Sequence, residues 1–167
     1  DAAVRQSKTT HAAPEAVDAC VLFADMLADA IAGKTKSQVL APRDGHFAGR
    51  ISKIAGGDWR TKTRPEIRGR GYVADSLEAA IWCVAHSSDY RGAVLMAANL
   101  REDADTTAAI AGQLAGALYG AQSIPGDWQE RLSWNAEINI LSLSLFDPTP
   151  QSNPIRREAF LTLASLW

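Results

Sequence analysis

The stretch ANLREDADTTAAIAGQLAGALYGAQSIPGDW, Ala98–Trp128, decides how the rest of the chain is read. From Thr107 to Gly120 it is built almost wholly of small residues, with Gly112, Gly116 and Gly120 recurring at helical spacing and Ala108, Ala111 and Ala115 between them. That composition predicts a helix which neighbouring backbones can approach closely. At its mouth stand Asp103, Asp105 and Thr106, whose hard oxygens suit Mg²⁺ or Ca²⁺. The same residue types also serve as plain helix caps, accepting backbone N–H bonds and meeting the positive end of the helix dipole. Magnitude helps to choose between the two. Two carboxylates about 4 Å apart repel by roughly 1 kcal/mol in water and about 4 kcal/mol at an effective dielectric of 20. A dipole contribution of about 0.3–1 kcal/mol per charge does not offset the larger figure. If both carboxylates converge in a partly buried place, a cation is the natural compensation.

Working outward, the apolar period remains helical. Pro14 to Ala32 places Val17, Cys20, Val21, Ala24, Leu27, Ala28 and Ile31 at helical spacing beside a narrow polar stripe of Glu15, Asp18, Asp25 and Asp29, with proline at the first turn and Gly33 at the end. Short helices are predicted after Thr35 and from about Phe47 to Ala55. GGDWRTKTRPEIRGRG, Gly56–Gly71, has glycine, proline and charge without apolar period and reads as a loop. Further helices are predicted over Asp75–His86, Tyr90–Asn99, Asp105–Tyr119, Pro125–Leu145 and Ile155–Leu166, the last after the break FDPTPQSNP. Nothing calls for a sheet, and the predicted fold class is all-α.

Composition bounds the function. The 167 residues, 47% hydrophobic, are enough for one ordinary core. With 17 basic and 19 acidic residues the formal charge is −2, which supplies no overall drive toward nucleic acid or anionic membrane. No run approaches the roughly 18 apolar residues of a membrane span. Cys20 and Cys83 each sit in an apolar helical pattern, as reduced core thiols do, and a cytoplasmic location is expected.

Three groups of residues taken in order, TTHAAPEAVDAC from Thr9, RGYVADSLEAAIWCV over Arg70–Val84, and NLREDADTTAAIAGQLAGALYG followed by IPGDW, carry a resemblance to the ADP-ribosylglycohydrolase family. It runs from about Ser7 to Trp134. The family's first-half motifs, a GDALG-like turn and a TDDT-like ligand cluster, do not occur in these residues. The resemblance therefore implies a single partial domain over 1–167: a family-like region at about 7–134 and a helical extension at about 147–167. The missing N-terminal half of the domain would be its partner.

The resemblance also implies an activity and a site. The activity is metal-dependent hydrolysis of the glycosidic bond of ADP-ribose attached to a protein side chain, or of a related small ADP-ribosyl compound. A non-catalytic ADP-ribose-binding or structural member of the family is the alternative. Asp103, Asp105 and Thr106 would help to hold two Mg²⁺ ions, with Mn²⁺ or Ca²⁺ as substitutes, and His11, Gly71 and Tyr72 would border the ligand. No catalytic acid or base is assigned in this chain. One departure stands out, because Arg101 and Glu102 occupy positions where the family often has small or glycine-containing pairs.

The remaining residues of interest read as structural. Asp75 and Glu78 are expected to cap and solvate their helix, and His46 and His86 match no motif. Arg60, Lys62, Arg64, Arg68 and Arg70 form a solvated basic loop without the interleaved aromatics that nucleic-acid stacking uses. One of these arginines reaching a pyrophosphate is the lesser reading.

Overall fold

The apolar period is realised as helices throughout the computed structural model, which describes residues 2–146. No strand occurs among the described residues, as the all-α reading requires. The helix predicted over 155–166 and the extension from about 147 lie outside them. The chain divides into two compact units, Asp1–Ile124 and Pro125–Trp167.

The first unit contains α1 (Ala2–Lys8), α2 (Pro14–Ile31), α3 (Lys36–Val39), α4 (Gly49–Gly56), α5 (Val73–Ala85), α6 (Tyr90–Ala98) and α7 (Ala104–Tyr119). Its centre is α5, where Ala74 and every residue from Ser76 to Val84 are buried. Small Ala79 and Ala80 alternate with Leu77, Ile81 and Trp82, so α2, α4, α6 and α7 can all close on one helix. Burial of side chains such as Ile81, Leu22 and Leu114, each almost wholly out of water, contributes about 1.5–3 kcal/mol apiece.

Boundaries follow local chemistry. Pro14 opens α2, and Thr35 caps α3 through a reciprocal box in which the Thr35 N–H donates to Gln38 Oε1 at 2.9 Å. α5 starts at Val73, two residues before the expected Asp75, because Tyr72 caps it by backbone geometry and carries no polar cap signal. α1 went unread because seven residues are too short to show a period.

Two expectations need correction. The glycines of α7 admit an aromatic side chain rather than a neighbouring backbone: a Cβ on Gly112 would lie 3.4 Å from Tyr90 Oη, and one on Gly116 would lie 3.8 Å from Tyr90 Cε2. The loop over 56–71 is real but anchored. It contains two 3₁₀ turns, Asp58–Thr61 and Arg64–Glu66, and it buries Trp59 and Ile67.

In the second unit the helix predicted over Pro125–Leu145 is broken into α8 (Gly126–Arg131) and α9 (Asn135–Phe146). Leu132 is extended and Trp134 takes a left-handed backbone with φ 61°. Apolar spacing continues across that break because it reports faces, not the dihedral angle of one residue.

Acidic residues on the polar stripe of α2 tie other elements down. Asp29 at its C-terminal end pairs with Lys34 and with Arg43, each at 2.7 Å, and Arg43 also donates to the Val39 carbonyl. The hydrogen bonds from Lys34 and Arg43 hold the Asp29 carboxyl below its ordinary 3.8. A depressed folded-state value stabilises above the unfolded value and is lost as pH falls through the folded one. Asp29→Asn is therefore expected to lower the urea midpoint at neutral pH, with the gap from wild type shrinking as pH is taken below 3.8. In the core, Leu114→Ala is expected to cost about 2–5 kcal/mol in the same assay.

Candidate functional site

The DADT segment is set by a tight reversal between α6 and α7. Leu100 is buried, and Arg101 and Glu102 follow with φ 68° and 62°, two consecutive left-handed residues that are not glycine. Each costs roughly 1–2 kcal/mol for an L-residue, which accounts physically for the ease of glycine at such a turn. The Asp103 N–H then donates to the Gly69 carbonyl at 2.7 Å, and the buried Thr107 hydroxyl donates back to the Asp103 carbonyl at 2.9 Å. Gly69 is tightly enclosed. A Cβ there would lie 3.2 Å from Thr107 Oγ1 and 3.3 Å from the Arg101 carbonyl. The loop before α5 and the turn before α7 are thus stitched together.

Asp103 is partly buried at this seam, while Asp105 and Thr106 are exposed on the first turn of α7. The Thr106 backbone N–H, the Asp103 carboxyl beside it and Asp105's own N–H hold the Asp105 carboxyl below the ordinary range. Asp103 and Asp105 are thus close enough for one carboxyl to act on the other. Among the described residues no group of three or more His, Cys, Asp or Glu side chains gathers as a metal site. Asp103, Asp105 and Thr106 supply two carboxylates and a hydroxyl at the start of α7, oxygen donors of the type a hard divalent cation takes.

Beside the seam lies a cavity of about 540 Å³ between α1, α2, α5 and α7. It brings together His11, Gly71, Tyr72 and Thr106, four residues from three separate segments, over a floor that includes Ala16, Phe23, Leu77 and Ile110. Asp103 and Asp105 do not line it, although Asp103 Oδ2 lies 3.4 Å from where a Cβ on Gly71 would stand. His11 is exposed at the rim. Buried Ser7 holds its loop by donating to the His11 carbonyl at 3.0 Å, and the His11 Nδ1 lies 3.1 Å from Thr10 Oγ1.

Tyr72 is 47% exposed at the cavity edge, and it is held from behind. The Arg50 guanidinium sits 5.8 Å from its ring centroid and pairs with Asp75 at 2.6 Å and Glu78 at 3.7 Å. Lys62 completes the group at 2.5 Å from Glu78. This corrects the expectation for Asp75 and Glu78. Their side chains are mostly buried and neutralised by two cations, since a carboxylate inside a protein is stable only when paired.

Arg50 owes its place to α2. The Glu15 carboxylate accepts from the Arg50 N–H at 2.5 Å, and Asp18 accepts from the Ala48 N–H at 2.6 Å, so two acids of the polar stripe receive the start of α4. Gly49, with φ 48°, is required there because a Cβ would stand 2.0 Å from Glu15 Oε1.

Arg50 and Ser76, whose hydroxyl donates to the Arg70 carbonyl at 2.5 Å, were not singled out from the sequence, and Glu15 was read only as part of a polar stripe. Gln113 also lines the cavity, and only its helical spacing from Thr106 and Ile110 on α7 could have marked it. His86 is structural, stacked on Trp82 at 4.1 Å with its Nδ1 2.9 Å from the Trp82 carbonyl. Both cysteines are free. Burial pushes the Cys83 thiol up to about 12, whereas Cys20 is half-buried at the cavity.

A family model described as ADP-ribosylglycohydrolase matches residues 1–154. An ADP-ribosylarginine hydrolase of Pseudomonas putida (strain GB-1) is 47% identical over 148 residues, which is 89% of this chain and 40% of that protein. Its counterpart in Serratia proteamaculans (strain 568) is 39% identical with the same coverage. An ADP-ribosyl-[dinitrogen reductase] glycohydrolase of Rhodospirillum rubrum is 33% identical over 69 residues, 41% of this chain and 24% of that protein. Among solved structures, an ADP-ribosylglycohydrolase-related protein complex superposes with a TM-score of 0.80 at 35% identity, covering 86% of this chain and 50% of that one. The chain thus spans about 40% of the length of the first two curated relatives.

The left-handed turn makes its own prediction. Arg101→Gly and Glu102→Gly are each expected to raise unfolding free energy by about 0.5–1 kcal/mol, the strain relieved less the extra chain entropy of glycine. Denaturant titration showing a loss of that size instead would mean that the turn is not strained.

Proposed function

The chain belongs to the ADP-ribosylglycohydrolase family, and we propose that it forms the part of a hydrolase that holds ADP-ribose while its glycosidic bond to a protein side chain, arginine foremost, is cut. One observation carries this reading: a single cavity draws His11, Gly71, Tyr72 and Thr106 together beside the seam that fixes the backbone of the DADT turn. Support for arginine as the linkage comes from the relatives named ADP-ribosylarginine hydrolases.

In this reaction the bond between the anomeric carbon of the ribose and the side-chain nitrogen breaks through an oxocarbenium-like state. Water supplies hydroxyl to the carbon and a proton to the leaving nitrogen. The chain's own part is binding and orientation. Tyr72 offers its ring face to the ligand and is kept in place by Arg50, Gly71 lets the ligand approach the backbone, and His11 borders the rim. The apolar floor keeps bulk water from the bound sugar. Asp103, Asp105 and Thr106 would hold Mg²⁺, or Mn²⁺ or Ca²⁺ in its place, within a pair completed by ligands from elsewhere in the domain. When bound, such ions lower the pKa of a water and orient the reactants. No helix among the described residues is long and apolar enough to cross a membrane, and cytoplasmic action on modified proteins accords with the free thiols.

Residues 1–167 alone are expected neither to bind two Mg²⁺ ions tightly nor to release ADP-ribose, because three ligands leave most of the six or more oxygens around each ion to water. Joining the family's first half, covalently or as a separate chain, is expected to restore both. Strong Mg²⁺-dependent release by residues 1–167 alone would overturn the half-site reading. In the joined protein, Tyr72→Ala is expected to weaken ADP-ribose binding by about tenfold, the scale of one lost base–aromatic stack, with helicity unchanged. Equal affinity by titration calorimetry removes Tyr72 from the site.

A further inference from the structure

The basic segment from Arg60 to Arg70 is not a simple solvated loop. Arg60 donates to the Leu40 carbonyl and lies over the Trp59 ring at 4.4 Å, and Lys62 neutralises Glu78. Arg64 donates to the Asn99 carbonyl at 2.9 Å, and Arg70 lies 3.6 Å from Glu102. Two nearby guanidiniums are left over. Neither Arg68 nor Arg101 has an ion pair or side-chain hydrogen bond among the described residues, and both are exposed.

Arg68 and Arg101 line the same groove, about 460 Å³, together with Arg64 and above the buried Ile67 and Leu100. Its one carboxylate, Glu102, is already faced by Arg70. A chain of net charge −2 thus carries a local positive surplus from two segments more than thirty residues apart in sequence. The turn needs no side chain at Arg101, whose φ of 68° glycine would adopt freely, so a guanidinium aimed at the groove is what this residue adds. The groove also adjoins the proposed site. Arg101 and Glu102 run directly into Asp103, and the Gly69 carbonyl between Arg68 and Arg70 accepts the Asp103 N–H.

We infer that this groove docks an acidic segment of the ADP-ribosylated protein beside the cavity and so selects which modified proteins are cleaved. The inference rests on the hydrolase reading above. Guanidinium groups take carboxylates through paired hydrogen bonds, and a charged rim acts on encounter and register. Acidic residues flanking the modified side chain are the chemistry this surface recognises.

Fluorescence anisotropy with the 167-residue chain tests the docking directly, using a labelled glutamate-rich peptide, a lysine-rich peptide and a single-stranded oligonucleotide of matched charge. The acidic peptide alone is expected to bind, more weakly as salt rises. Arg68→Glu and Arg101→Gly are each expected to weaken it by about tenfold or more, and Lys53→Glu on α4 is expected to leave it unchanged. Arg101→Gly suits the turn, so its loss of binding is not a loss of fold, and thermal melts of every variant check this. Unchanged affinity in both groove variants, or equal binding of the oligonucleotide, overturns the inference.

Turnover separates it from the reading beneath it. In the chain joined to the family's first half, Arg68→Glu is expected to raise KM for an ADP-ribosylated peptide with acidic flanks and to spare ADP-ribosylarginine itself. Equal loss on both would put the arginine on the pyrophosphate and overturn docking. If unmodified joined protein cleaves neither substrate while peptide binding still depends on Arg68 and Arg101, the hydrolase reading fails and the acidic-partner groove stands.

Discussion

Glu78 is a carboxylate in the interior of a helical protein, and much of the first unit is arranged around keeping it paired. It lies on α5, the helix buried on nearly every side, with Lys62 at 2.5 Å and Arg50 at 3.7 Å. The effective penalty for desolvating such an ion is several kcal/mol, which the two cations beside it offset. Arg50 must therefore stand where α4 begins, and the carboxylates of Glu15 and Asp18 hold that beginning in place from α2. Lys62 must come from the loop before α5, which Trp59 and Ile67 pin into the core. Charge satisfaction in the middle of the fold thus fixes three elements at once.

Those constraints end at the candidate site. The guanidinium that neutralises Asp75 lies under the ring of Tyr72, so an aromatic at the cavity edge is positioned by the ion pairs beneath it. On the other side, the Gly69 carbonyl and the Asp103 N–H join the loop carrying Gly71 and Tyr72 to the turn carrying the aspartates. The residues proposed to face a ligand and those proposed to face a cation come from distant parts of the chain yet share one seam. A shift in the loop is therefore felt by both. The αL pair Arg101–Glu102 adds strain at this seam, as backbones at functional sites often do, while projecting its side chains toward the neighbouring basic groove.

Much of the architecture could be read from periodicity. α2, α6 and α7 lie within a residue or two of their predicted spans because each keeps an apolar repeat over nine residues or more. The reading failed where the signal is local or needs a partner. α1 is too short for a period, and the extended Leu132 with the left-handed Trp134 divides a helix that the apolar spacing alone had read as continuous. Tyr90, on another helix, fills the space that the glycines of α7 leave, so those glycines alone did not say what would approach them.

For this protein, the sequence by itself determined the all-helical class, the small-residue helix behind DADT and the motifs that carry the family resemblance. All of these lie in contiguous residues whose spacing maps directly onto a helix face or a turn. Tertiary structure alone decided that Asp75 and Glu78 are buried and paired, that Arg50 backs Tyr72, that His11 shares a cavity with Thr106, and that Arg68 and Arg101 line one groove while their neighbours are spent on ion pairs and carbonyls. The reason is physical. A charged side chain looks the same in sequence whether it is solvated or neutralised, and only the elements packed around it set how much water it keeps.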